Sequence, residues 1–144
     1  MFVSEGFLSP GIHECTFDEI RGRFGSFQES DRRPALFQRL AQFIQAIRRQ
    51  ELFEEFIIDG SFVTSKSAPN DIDLVAVLKT GHDFERDLPM SEYAMVSRAL
   101  LHRRFGFDVL IAESATAMYE SYIEYFSRVR EMPNLRKGLI RLRL

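Results

Sequence analysis

The segment 59–74, which reads DGSFVTSKSAPNDIDL, holds the residues whose types and spacing best suit chemistry. Asp71 and Asp73 stand two residues apart at the start of an apolar run, so on a strand both carboxylates project from one face, about 7 Å apart at the backbone. Two like charges on an apolar strand repel each other and lose water. A divalent cation offsets both costs, and Mg²⁺ prefers a few carboxylate oxygens together with phosphate oxygens. The pair therefore predicts a magnesium site.

A third acid, Asp108, lies within another apolar run, Phe107 to Ile111. A lone carboxylate in such surroundings needs a partner. If its strand lies beside the strand of Asp71 and Asp73, the three carboxylates meet. They can then hold metal ions against the attacking and leaving oxygens of a phosphoryl displacement. We expect Asp71, Asp73 and Asp108 to be the metal-binding and catalytic acids.

A turn at Gly60-Ser61 follows directly on a strand-like run. Glycine permits a sharp turn and close approach to a ligand, and successive amides there can cradle a phosphate, with the serine hydroxyl as a further donor. Two alternatives stay open at this level. Asp59 is either a fourth acid near the site or the cap of the turn. Asn70-Asp71 can equally be a simple turn that leaves Asp73 in solvent.

The rest of the chain supplies the elements that must position these residues. Thr16 and Glu19 form a capping box, which predicts a short helix to about Phe24. An apolar stripe from Leu36 to Ile47, with Pro34 in the first turn, predicts a longer helix. Further patterns predict strands over 53–58, 71–78, 107–112 and 138–144, the last with one wet face, and helices over about 88–104 and 115–128. This order predicts a single α/β domain over residues 1–144, a small sheet backed by helices.

Gly60-Ser61, a gap of nine residues, then Asp71-Ile-Asp73 resembles the signature of the polymerase-beta-like nucleotidyltransferase superfamily, with Asp108 in the place of its third acid. The whole run from Gly60 to Asp73, GSFVTSKSAPNDID, resembles a branch of short bacterial members of this superfamily. The resemblance extends to residues 8–13 and 137–140. The resemblance implies a small mixed sheet with helices packed on it, Mg²⁺ at the three acids and a nucleoside triphosphate at the Gly-Ser turn.

The resemblance also implies helpers for the phosphates and a reaction. Lys66 is a flexible ammonium that suits a phosphate tail, and Thr64 and Ser65 can donate hydrogen bonds nearby. The reaction would be Mg²⁺-dependent transfer of a nucleotidyl group to a hydroxyl of a protein, an RNA or a small molecule. The alternative is a catalytically weak or inactive antitoxin or regulatory module that binds a partner such as a toxin. The intact acids favour the enzyme, whereas the short chain, without the further domain of larger relatives, and Asp59 favour the module.

Composition sets further limits. The formal net charge of -2 provides no global basic field for nucleic acid. The pairs Arg32-Arg33, Arg48-Arg49 and Arg103-Arg104 are interpreted as solvated helix faces, and the denser basic set over 128–143 can line a phosphate-rich cleft. A single cysteine, Cys15, excludes an internal disulfide. Without a signal peptide or a membrane-spanning run, the sequence predicts a cytoplasmic protein with no membrane partner.

Overall fold

The structure is a computed structural model that describes residues 6–26, 31–49, 51–66, 69–79, 97–129 and 132–144. Its centre is a five-stranded sheet, and a two-stranded sheet lies apart from it. The strands of the large sheet are β1 (Gly11–Glu14), β2 (Phe53–Asp59), β3 (Asp73–Leu78), β4 (Asp108–Glu113) and β7 (Gly138–Arg143). The small sheet pairs β5 (Arg128–Val129) with β6 (Met132–Arg136).

The large sheet is mixed, with the order β1-β7-β2-β3-β4. Strand β2 runs antiparallel to both of its neighbours, β3 and β7. The outer pairs, β1 with β7 and β3 with β4, are parallel. The predicted fold class, a small mixed sheet in an α/β domain, is therefore confirmed.

Four helices occur in the described ranges: α1 (Phe17–Phe24), α2 (Arg32–Arg48), α3 (Arg98–Phe105) and α4 (Ala117–Ser127). The predicted capping box begins α1, because the Thr16 hydroxyl accepts from the Glu19 amide at 3.1 Å and the Glu19 carboxylate accepts from the Thr16 amide at 3.1 Å. Gly25 ends this helix, as predicted. The stripe of α2 is buried from Leu36 to Ile47, so the predicted longer helix is confirmed as well.

Helices cover both faces of the sheet, and this explains why β3 is apolar on both sides. On one face, Leu74 and Ala76 join the large core formed with α1, α2 and α3. On the other face, Val75 and Val77 join a smaller cluster that includes Tyr119 of α4. Because side chains alternate along a strand, the sequence alone places Leu74 and Ala76 on one side of β3 and Val75 and Val77 on the other. No helix within the described ranges has both the length and the apolar character needed to cross a bilayer.

Two predictions about the strands need correction, one on where β3 begins and one on the exposure of β7. Strand β3 begins at Asp73 rather than at Asp71, because the Asp71 carbonyl accepts a hydrogen bond from the Phe62 amide in the preceding turn. The face of β7 that carries Leu139 and Arg141 is not simply wet. Leu139 is 1% exposed, since α4 covers this face of the sheet.

Other parts of the architecture were not predicted, or lie beyond what the structure describes. Strand β1 and the β5–β6 pair have no counterpart among the predicted strands. Of the helix predicted over 88–104, residues 88–96 lie outside the described residues. The described part is α3, which begins after Ser97, whose hydroxyl accepts from the Leu100 amide.

Candidate metal and phosphate site

A row of three acids crosses three neighbouring strands at one end of the sheet. Asp59 is the register partner of Asp73 across the antiparallel pair β2–β3. Asp73 is in turn the register partner of Asp108 across the parallel pair β3–β4. The strand that carries Asp108 therefore lies beside the strand of Asp73, which was the condition for the predicted acids to meet.

Asp71 joins this row from the turn that precedes β3. Its side chain is exposed, and its Oδ1 accepts hydrogen bonds from the Ser61 amide at 2.9 Å and from the Ser61 hydroxyl. The Ser61 hydroxyl also accepts from the Asn70 amide at 2.9 Å. The Gly-Ser turn and the first predicted acid are thus in direct contact.

The electrostatic surroundings of Asp73 show that negative charge is concentrated here. The pKa of Asp73 is raised to about 6, first by burial and then by the charges of Asp71, Asp59 and Asp108, in that order. Lys137 acts in the opposite direction but does not cancel these effects. A divalent cation would favour the ionised form of Asp73 and offset the repulsion among the four carboxylates.

Gly60 allows the backbone before β3 to approach the end of β2. Its φ is +94°, a conformation that other residues rarely adopt. A Cβ at this position would lie 2.7 Å from the Asp71 carbonyl oxygen and 3.0 Å from the Asp73 nitrogen. Glycine is therefore required here by both conformation and space, as the sequence predicted for this turn.

The amides of residues 61–66, the described segment that follows Gly60, are all used within the protein. The Ser61 amide donates to the Asp71 carboxylate, and the amides of residues 62–65 donate to backbone carbonyls. The Lys66 amide donates to the Thr64 hydroxyl at 3.2 Å, which itself donates to the Ser61 carbonyl at 2.6 Å. A phosphate at the predicted Gly60-Ser61 cradle would therefore have to replace Asp71 on Ser61. The Lys66 side chain is exposed.

A buried arginine holds the same loop from inside. Arg33 is 1% exposed, and its guanidinium donates to the carbonyls of Phe62 at 2.7 Å and Thr64 at 2.6 Å, as well as to that of Lys66. The interpretation of Arg32-Arg33 as a solvated pair is thus wrong for Arg33. The available signal was its spacing, because residue 33 continues the apolar stripe one turn before Leu36.

Lys137 pairs with the fourth acid of the site. Its Nζ lies 3.1 Å from both carboxylate oxygens of Asp59, whose side chain is 5% exposed. Burial raises the pKa of Asp59, and the Lys137 charge lowers it. Asp59 is therefore a fourth acid beside the site rather than only the cap of a turn. The other paired cations of the basic set contact glutamates instead: Arg128 and Arg136 contact Glu124, Arg141 contacts Glu55, and Arg143 contacts Glu14.

Both oxygens of Asp108 are engaged by Arg98 at the start of α3. The Arg98 Nε lies 2.7 Å from Oδ1 and its Nη2 lies 2.8 Å from Oδ2, which is a bidentate pair. The two side chains are 61% and 45% exposed, so solvent screens their attraction. This pair could not be anticipated from the sequence, because Arg98 belongs to no motif.

The acids face an open cleft of about 180 Å³ between the sheet and two helices. Asp71, Asp73 and Asp108 line it together with Arg39 of α2 and His102 of α3. The remaining lining residues are Leu36, Asn70, Ile72, Gly106 and Phe107. A ligand in this cleft would therefore meet carboxylates as well as cationic or hydrogen-bonding groups.

The donor set suits Mg²⁺ in its chemistry, but the ligands are not assembled. Among the described residues, no three side chains of His, Cys, Asp or Glu already converge as a metal-binding group. Instead, the Asp71 carboxylate accepts a hydrogen bond from Ser61, and the Asp108 carboxylate accepts one from Arg98. Carboxylates are nevertheless the ligands that Mg²⁺ prefers, and the raised pKa of Asp73 marks charge that a cation would compensate.

The fold and site together define a small α/β domain with an acidic cleft at one end of its sheet. The chain belongs to a family described as a family of unknown function (DUF6932), whose model matches residues 1–143. Comparisons with curated proteins and with solved structures gave no match.

Proposed function

We propose that this protein is a Mg²⁺-dependent nucleotidyltransferase that uses a nucleoside triphosphate and a hydroxyl acceptor. The observation that carries the proposal is the register pairing of Asp73 with Asp108 on adjacent parallel strands. Acids distant in sequence lie side by side, next to the Gly60 turn and at the edge of a cleft. The resemblance of the Gly-Ser and Asp-x-Asp motifs to the polymerase-beta-like superfamily gives these acids their proposed chemistry.

The residues have distinct roles in this proposal. Asp71, Asp73 and Asp108 would hold Mg²⁺, which when bound supplies charge stabilisation for the transferring phosphoryl group. Asp108 also helps to activate the acceptor hydroxyl by accepting its proton. The loop of Gly60, Ser61, Thr64 and Lys66 orients the phosphates once Asp71 has turned from Ser61 towards the cation. The row of carboxylates keeps other anions away until a cation is present.

Nucleotide binding tests the proposal most directly. We expect a non-hydrolysable triphosphate analogue to bind the native protein only when Mg²⁺ is present, as measured by calorimetry for each of the four common bases. The variant with both Asp71→Asn and Asp73→Asn should lose this dependence. Glu113→Gln serves as the matched control, because Glu113 is an exposed acid at the far end of β4. If the native protein binds no triphosphate with Mg²⁺, the proposal fails.

Transfer itself needs a separate measurement, since binding alone does not prove turnover. Incubation with α-labelled triphosphates and cell extract should label an acceptor protein or RNA with native protein. The labelled species should disappear with Asp108→Asn and remain with Glu113→Gln. Binding without any labelled product would support the second candidate below.

The second candidate is a regulatory or antitoxin-like module that binds a protein partner such as a toxin, with weak or no catalysis. One observation favours it: Arg98 and Ser61 already occupy two of the three proposed metal ligands. Under this candidate the double aspartate variant should retain the partner. Copurification of one stoichiometric partner with both the native and the variant protein would separate it from the enzyme.

A further inference from the structure

Two helices that the site motifs do not include contribute side chains to the lining of the cleft. These are Arg39 of α2 and His102 of α3. Arg98 lies four residues before His102 on α3, so both side chains project from the same side of the helix. Through its contact with Asp108, Arg98 lies at the edge of the cleft.

A triphosphate in this cleft needs hydrogen-bond donors. The loop of residues 61–66 does not offer its backbone amides, because they already donate within the protein. Arg39 and Arg98 are both exposed, and within the described ranges Arg39 makes no ion pair. Guanidinium groups bind phosphate through the same two-pronged geometry that they use for carboxylate.

The contact between Arg98 and Asp108 shows this geometry with a carboxylate. Two N–H groups of Arg98 donate to the two oxygens of Asp108 at 2.7 and 2.8 Å. Both partners are exposed, so solvent screens their attraction and a divalent cation has access to Asp108 and can compete for it. Arg98 would then be released beside the cleft, at the moment when phosphate groups arrive with the cation.

We propose that Arg39 and Arg98 bind the phosphate groups of the triphosphate, and that Arg98 occupies Asp108 until a cation takes this carboxylate. The inference rests on the proposed function and deepens it, because it adds phosphate contacts from helices α2 and α3 to those proposed for the loop at Gly60. In this arrangement Arg98 pairs with Asp108 before Mg²⁺ binds. After Mg²⁺ and the triphosphate bind, Arg98 pairs with a phosphate group instead.

Inorganic tripolyphosphate is the appropriate probe, since it presents the phosphates without a base. Its dissociation constant at saturating Mg²⁺ should be measured by calorimetry for the native protein and for Arg39→Gln and Arg98→Gln. Each loss of a charge-assisted contact should weaken binding about tenfold or more. Arg103→Gln is the matched control, because Arg103 is exposed on the same helix and does not line the cleft. Circular dichroism and thermal unfolding should verify that each variant is folded.

Binding of Mg²⁺ without any phosphate provides the second readout. Arg98→Gln should bind Mg²⁺ more tightly than native protein, because the competitor for Asp108 is gone. Arg98→Lys keeps the charge but loses the two-pronged geometry, so its tripolyphosphate affinity should lie between those of the native and the Gln variant.

Two results would overturn the inference. One is that Arg39→Gln and Arg98→Gln bind tripolyphosphate as tightly as Arg103→Gln. The other is that Arg98→Gln binds Mg²⁺ more weakly than native, which would make Arg98 a support for Asp108 rather than its competitor. Both differ from failure of the proposed function, in which the native protein itself binds neither tripolyphosphate nor nucleotide in the presence of Mg²⁺.

Discussion

Lys137 places its ammonium nitrogen 3.1 Å from the buried carboxylate of Asp59, across 78 positions of the chain. Asp59 is in turn the register partner of Asp73. One lysine between two short strands therefore provides the counter-charge for one end of the acid row. The pair links the stability of the sheet to the electrostatics of the cleft.

Removal of this lysine should destabilise the fold. Lys137→Met leaves Asp59 buried without its partner, and breaking a buried pair costs about 3 kcal/mol in free energy of unfolding. Urea unfolding at pH 7 measures the change, with Lys79→Met as the control because Lys79 is exposed. Adding Asp59→Asn to Lys137→Met should restore part of the loss. Equal stability of the two lysine variants would contradict the structural role given to Lys137.

The Gly60 turn predicts a sharp contrast between two alanine substitutions. Gly60→Ala places a Cβ 2.7 Å from the Asp71 carbonyl oxygen at a φ of +94°, which residues with a side chain rarely adopt, and should cost about 2 kcal/mol or more. Gly22→Ala lies within α1, where a Cβ would meet nothing within 4 Å, and should be neutral or slightly stabilising. Thermal unfolding distinguishes them. The prediction is wrong if the two variants have the same midpoint of thermal unfolding.

Replacement of Arg33 should lower the stability of the fold and increase the local opening of the loop at residues 61–66. Arg33→Met leaves the carbonyls of Phe62 and Thr64 without a donor inside the protein, which should cost about 3 kcal/mol. Amide hydrogen exchange over residues 61–66 should accelerate more than exchange over α4. Arg48→Met is the control, since Arg48 is an exposed arginine at the end of the same helix. Unchanged exchange in the loop would show that Arg33 does not hold it.

The raised pKa of Asp73 predicts a pH-dependent effect of its neutralisation. Because the pKa is about 6 in the folded protein and near 3.8 for an aspartate free in solution, the folded state binds the proton more tightly than the unfolded state does. Stability from this group is therefore present below about pH 4 and is lost as the pH rises through about 6.

Asp73→Asn removes this dependence without removing much volume. At pH 7.5 the variant should be more stable than native in metal-free buffer, by on the order of 1 kcal/mol after allowance for solvent screening. At pH 4 the two should be nearly equal. Denaturant midpoints across this range measure the difference, and Glu113→Gln controls for a general change in charge. If the difference in stability between the variant and the native protein does not change with pH, ionisation of Asp73 is not its source.

The sequence predicted the elements that depend on local pattern. The capping box of α1 follows from the spacing of Thr16 and Glu19. The stripe of α2 and the apolar strands follow from spacing as well, because one side of each element must be buried. The β5–β6 pair was missed, since Met132–Arg136 contains a proline and shows no apolar alternation. The start of β3 was misplaced because the Asp71 carbonyl accepts a hydrogen bond from the Phe62 amide in the preceding turn, a contact that spacing alone does not reveal.

For the candidate site, the sequence identified the acids but not their partners. Asp73 and Asp108 each stand out as a charge in an apolar run, and the sheet places them side by side. Arg98 and Lys137 carry no such signal, because a charged residue at a helix start or in a loop is ordinary. Which acid each cation contacts is decided by packing between distant parts of the chain.

The position of β7 between β1 and β2 has a consequence for synthesis. Within the described residues β1 pairs with β7 alone, so as the chain leaves the ribosome it gains this partner only when residues 138–143 emerge. Lys137 emerges at the same moment and brings the positive charge that Asp59 lacks until then. Pairing of β1 and neutralisation of Asp59 thus depend on the same segment of the chain. A nascent chain halted before this segment would lack both the strand that pairs with β1 and the lysine that pairs with Asp59.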